Sequence, residues 1–134
     1  MEQLYPWMHL VGRVLLSTPF IMGGAMHFAQ MNSMVGYATG KGAPLPKVTV
    51  PLTGAMILVG GIFLALGWHR FIGAGLVFIF TVLSSTLMHA FWKEKDPMAR
   101  MAEQSQFMKD LALGGGALFM AYYAGHPWPL SIGG

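Results

Sequence analysis

Apolar residues fill four long runs of the chain, 8–28, 48–66, 71–91 and 107–124, and short polar or proline-rich joints separate them. A helix needs about 20 mostly apolar residues to cross a hydrocarbon core of roughly 30 Å. Only helices and closed barrels satisfy their own backbone in lipid, and runs of this length point to helices. The pattern predicts an all-α, integral membrane four-helix bundle that takes up residues 1–134 as a single domain. Too little chain is left over for a sizeable extramembrane unit.

The joints carry their own signals. Pro19 removes a backbone donor inside the first run, and the preceding Ser17 and Thr18 are suited to re-satisfy the freed carbonyl, so a bend is expected there. Between the first two runs, Asn32 or Ser33 can cap a short helix that Gly40 and Gly42 stop, which predicts an interfacial helix lying among the headgroups. Pro44 and Pro46 exclude helix around them and redirect the chain. Gly54 and Gly61, seven apart, share a face of the second span and permit a close neighbour. Gly67-Trp68-His69-Arg70 reads as a tight turn at an interface. The third run holds Ser84, Ser85, Thr86 and His89; the polar segment after it has the look of a helix start at Pro97. The fourth span starts near Phe107 and fades at Tyr123–Gly125, with Trp128 expected as an interface anchor.

Charge sharpens this picture. Of thirteen Asp, Glu, Lys and Arg residues, eight fall between Lys93 and Asp110, leaving the apolar runs nearly free of charge. Hydrophobic residues make up 54% of the chain and charged ones 10%, the reverse of what a water-facing surface needs. The net charge of +3 does not imply nucleic-acid binding, because the basic residues are sparse and form no continuous face. With no cysteine, the chain's own atoms cannot supply thiol–disulfide exchange, thiolate metal sites or Fe–S ligation. The start Met-Glu-Gln-Leu lacks a basic n-region, so the first run is expected to be a retained span and not a cleaved signal. Lys41, Lys47, Lys93, Lys95, Arg100 and Lys109 lie on the two long connections, against Arg13 and Arg70 on the other side. The positive-inside rule then predicts both connections in the cytoplasm and both termini outside.

Topology brings His27 and His89 to one membrane level, each at the end of a run and beside aromatics, with Trp92 and Lys109 nearby. Imidazole N–H or ammonium donors, an indole to stack on and an opening to lipid suit a quinone headgroup. The same residue types also anchor helix ends at interfaces. Arg13 lies within the first span, where an arginine is either functional or snorkels to the nearer surface. No His-x-x-x-His or Glu-x-x-His pair puts two ligands on one helix face, so a metal site from His27, His89 and Glu103 or Asp110 is disfavoured and no metal is expected. The 12 methionines are read as flexible filler, and Gly114–Gly116 as a helix-packing face with no phosphate-loop context.

Several blocks carry a family likeness. They are Gly12-Arg13-Val14-Leu15-Leu16, Phe20-Ile21-Met22-Gly23-Gly24, and Gly36-Tyr37-Ala38-Thr39-Gly40-Lys41-Gly42-Ala43-Pro44-Leu45-Pro46. His89-Ala90-Phe91-Trp92 and Phe107-Met108-Lys109-Asp110-Leu111-Ala112-Leu113-Gly114-Gly115 complete the set. Over its length the chain resembles the DoxX family of small membrane proteins. It departs from the family pattern at Asp110, where Asn is usual, and at His27, where Lys is frequent. The resemblance implies a four-helix bundle in the bacterial inner membrane, in a family that includes quinone-linked oxidoreductase subunits and components of oxidative and thiol-stress systems. From it follows the expectation of a quinone-linked subunit, with His27, His89, Trp92 and Lys109 around the headgroup, Arg13 acting from the opposite leaflet, and a redox partner supplying electrons. The alternative is a non-enzymatic accessory or scaffolding subunit whose glycine faces pack against a larger membrane complex or a second copy.

Overall fold

In the computed structural model, residues 1–133 are described, and among them there is no strand. Five α-helices follow one another: α1 (Tyr5–Ala29), α2 (Met31–Gly40), α3 (Pro46–Leu66), α4 (Arg70–Leu83) and α5 (Pro97–Tyr122). α4 continues into a π turn, Ser84–Met88, and a 3-10 turn, Phe91–Lys93, before α5 begins. Two segments, Pro46–Leu66 and Arg70–Lys93, are long and apolar enough to cross a membrane. α1 and α5 are of similar length, 25 and 26 residues.

Local chemistry explains most boundaries and corrects several sequence expectations. α2 begins at Met31 directly after Gln30, with no side-chain cap, so neither Asn32 nor Ser33 plays the expected role. Pro46 does not exclude helix: it is the first residue of α3, where its missing N–H and fixed φ are harmless. Pro51 also lies inside α3, in its second turn. Asp96 caps α5 by accepting from the Ala99 N–H at 2.9 Å, and Pro97 follows as the first residue. The last helix therefore starts about ten residues before the apolar run at Phe107, and its first turns extend past that run as a polar rod. Beside Pro19, Ser17 and Thr18 do donate to helix carbonyls, but to those of Arg13 (2.6 Å) and Val14 (2.8 Å), each four residues back. Neither reaches the Leu15 carbonyl that Pro19 leaves without its helical donor.

α3 packs against both α1 and α4, and α5 closes on α4. The α1–α3 seam is a backbone-to-backbone contact. A Cβ on Gly54 would sit 2.5 Å from the His27 Cβ, one on Gly24 would meet the Gly54 carbonyl at 2.8 Å, and one on Gly61 would meet Ile21 at 2.8 Å. On α5 a Cβ at Gly114 would lie 2.9 Å from the Thr81 hydroxyl of α4. Gly24, Gly54, Gly61 and Gly114 thus close the chain on itself, whereas a Cβ on Gly115 would meet nothing within 4 Å. Phe20, Ile57, Leu64, Val77, Ala117 and Trp128 fill the centre.

The outside is as apolar as the inside. Leu15 is 67% exposed, Leu52 64%, Phe71 70% and Phe119 70%, one on each of the four long helices. Water-soluble monomers do not tolerate apolar surface on this scale, whereas lipid requires it.

Candidate functional site

Polar chemistry is divided between the two ends of the bundle. At the end holding the termini, Arg13 is 1% exposed. Its Nε donates to the Ala65 carbonyl (3.0 Å), Nη1 donates to the Pro129 carbonyl (2.7 Å) and lies 3.3 Å from His9 Nδ1, and Nη2 donates to the Leu130 carbonyl. Leu130 adopts a left-handed backbone, φ 53°, as it presents that oxygen. One guanidinium thus ties α1 to the end of α3 and to the C-terminal segment. Arg13 does not snorkel: each nitrogen of its guanidinium donates within the fold. Trp128 is likewise no interface anchor: it is 4% exposed, donates from Nε1 to the Tyr123 carbonyl (3.0 Å) and packs its ring edge-on against His9.

The opposite end is built from α1, α2, α3 and the π turn. A cavity of about 360 Å³ lies there, lined among others by His27, Tyr37, Thr49, Thr53, Ser84 and His89, with Val50, Phe80 and Leu87 giving apolar wall. His27 comes from the last turns of α1, where the close α1–α3 seam holds its Cβ against Gly54. His27 Nδ1 donates to the Gly23 carbonyl at 2.7 Å. His89 follows the π turn in a non-helical conformation, φ −113°, ψ 39°. The extra residue in a π turn breaks the α-helical phase, and such turns are frequent at functional sites. His89 Nδ1 lies 2.7 Å from Glu103 Oε2.

Behind His89 stands a charge network. Lys41, from the connection after α2, reaches Glu103 Oε1 at 2.6 Å and Glu94 Oε1 at 3.4 Å. Burial alone would push the Glu103 carboxyl up, but hydrogen bonds from Lys41 and His89 outweigh it and hold that carboxyl below the ordinary glutamate value. Lys41 is raised, chiefly by its hydrogen bond to Glu103. Glu103 is therefore a carboxylate near neutral pH, and His89 Nδ1 carries the proton between them. One further acid approaches from α5: Asp110 lies against Ser84, and its Oδ2 is buried without a hydrogen-bond partner.

Of the residues singled out from sequence, His27 and His89 meet at this cavity. Trp92 and Lys109 do not line it. Trp92 is half exposed and sits edge-on to Phe91 and Phe107 in a separate aromatic cluster. Lys109 is exposed on α5. Sequence reasoning missed Lys41, Glu94 and Tyr37 as site residues and weighed Glu103 only as a metal ligand. The signal for Glu103 was the Asp96-Pro97 cap, which starts α5 early enough to bring Glu103 back over His89.

The sequence model of the DoxX family matches residues 8–90. No curated protein and no solved structure matches the chain. The matched segment contains both cavity histidines and ends one residue after His89.

Proposed function

The chain belongs to the DoxX family, and on that premise we propose that it is a multi-pass bacterial inner-membrane protein that holds a quinone-type headgroup in the His27–His89 cavity. In this reading α1 and α5 cross the bilayer together with the two most apolar segments, forming the four-helix bundle. The lipid-suited outer faces of all four long helices support this. The long connections, with Lys41 and the Lys93–Asp110 charges, face the cytoplasm.

One observation carries the ligand assignment: two imidazoles from different helices line a single, largely apolar cavity sized for a ring. Phe80, with its ring 6.2 Å from that of His27, supplies an aromatic wall. Glu103 and Lys41 link His89 to the polar connection, a route by which a proton can leave the cavity without crossing apolar wall. Trp92 and Lys109 have no part in this site, and Arg13 acts only on the fold. With no thiol of its own, the chain needs a redox partner to exchange electrons with the bound quinone.

The test is purification from native membranes in mild detergent, followed by quinone analysis. Near-stoichiometric quinone that is lost in both His27→Ala and His89→Ala, with the bundle still folded by circular dichroism, is the expected result. Quinone content no higher than that of the surrounding lipid, or unchanged in both variants, overturns the proposal.

A further inference from the structure

Hydrogen-bond directions around the cavity limit what can bind there. His27 Nδ1 faces the Gly23 carbonyl, which can only accept, so this nitrogen carries the proton and the neutral ring keeps its lone pair on Nε2. His89 Nδ1 faces a Glu103 oxygen and is fixed in the same tautomer. Asp110 Oδ2 is the buried side-chain polar atom without a partner among the described residues, so neither Nε2 is sealed off inside the protein. The hydroxyls repeat the pattern. Thr49 donates to the Pro44 and Leu45 carbonyls (3.1 and 3.2 Å), and Thr53 donates to the Thr49 carbonyl (2.7 Å). Both threonines spend their protons on the protein and offer lone pairs to the cavity. The Ser84 and Tyr37 hydroxyls, also in the lining, can donate as well as accept.

A quinone carbonyl offers only lone pairs, whereas a hydroquinone offers two O–H donors. Resting on the quinone-site reading above, we infer that the cavity selects the reduced headgroup: a hydroquinone donates to His27 Nε2 and His89 Nε2, while the oxidised ring finds no donor on either imidazole. Two neutral hydrogen bonds gained in one state and not in the other correspond to about a tenfold or greater difference in affinity. A tenfold preference raises the two-electron potential of the bound couple by about 30 mV. The protein thus holds the reduced form and releases the oxidised one.

The experiment uses the full chain in lipid nanodiscs under anaerobic, mildly alkaline conditions. A decyl-substituted benzoquinone and the same compound reduced to its hydroquinone are titrated separately. Hydroquinone binding at least about tenfold tighter than quinone supports the inference. His27→Lys keeps the Cβ at the tight α1–α3 seam and turns an acceptor into a donor, so it swings the preference toward the quinone. Equal affinities, or a tighter quinone, in the wild-type protein overturn the inference and leave the quinone site standing. Binding of neither form overturns both. The wild-type comparison decides the question even where the variant does not fold.

Discussion

Both ends of this bundle contain histidine, a basic side chain and an aromatic ring, yet they use them in opposite ways. At the terminal end each of the three guanidinium nitrogens of Arg13 donates to a carbonyl, His9 lies against the guanidinium, and Trp128 is packed into the core. At the other end Lys41 pairs with Glu103, Glu103 takes His89 Nδ1 and the Gly23 carbonyl takes His27 Nδ1, so each cavity-lining imidazole keeps one uncommitted nitrogen. A buried polar group that is fully satisfied rigidifies a fold; one that keeps a lone pair unspent is available to a ligand. The residue type decides neither role. What decides it is whether a polar atom is left over once the fold's own partners are taken up.

The comparison breaks most visibly at Arg13. Arg13→Ala leaves the Ala65, Pro129 and Leu130 carbonyls without their donor and is expected to lower stability by about 3 kcal/mol or more, read as the largest fall in melting temperature among these variants. Ligand binding at the far cavity should survive wherever the variant still folds. A loss of binding with an unchanged melting temperature would reverse the roles assigned to the two ends.

Glu103→Gln tests the cavity end at a smaller scale, roughly 1 kcal/mol, because the side chains of Glu103 and Lys41 keep 16% and 21% of their surface open. Its signature is the pH profile. The Glu103 value is depressed in the folded state, so its contribution is present above the unfolded value and is lost as pH falls through the folded one. Lys41 is raised, so its contribution is present below the unfolded value and is lost as pH rises through the folded one. The ion pair therefore supports a plateau through neutral pH, and Glu103→Gln should flatten the acid limb of the melting curve, the fall that sets in as pH drops below the ordinary glutamate value. An unaltered acid limb would show that the pair contributes nothing.

Trp92→Ala should cost about 1 kcal/mol through its edge contacts with Phe91 and Phe107, and Lys109→Ala should do least, within about 0.5 kcal/mol; neither changes ligand affinity, because both lie outside the cavity. A clear loss of binding in either would restore the wider mouth that the sequence suggested.

What could be read from sequence follows from the range of each interaction. The apolar runs and the Asp96-Pro97 start are local signals, and they gave helices, with errors at ends where a proline was taken as a breaker and proved to be a first residue. His27 and His89 could be paired because membrane topology alone brings ends of alternate spans to one level. Lys41 and Glu103, 62 positions apart, could not, since nothing local marks a lysine in a connection as the partner of an acid on the last helix. Arg13 was legible as unusual, but its partners lie at Ala65 and beyond Pro127, and backbone carbonyls leave no trace in a side-chain pattern. Trp92 and Lys109 share the membrane level of the two histidines but are not in the lining of the same cavity, and level alone does not tell which way a side chain faces.

That turn has a consequence for how the chain tolerates length changes. Each residue of an α-helix advances the winding by about 100°, and the wider turn at Ser84–Met88 holds His89 in a phase that an uninterrupted α4 would not give it. Adding one residue to Ser84–Met88 would advance the winding by about 100° and carry the imidazole about a quarter-turn off the cavity wall, with composition, hydropathy and span length almost unchanged. In this segment spacing, more than residue identity, is what inheritance has to preserve.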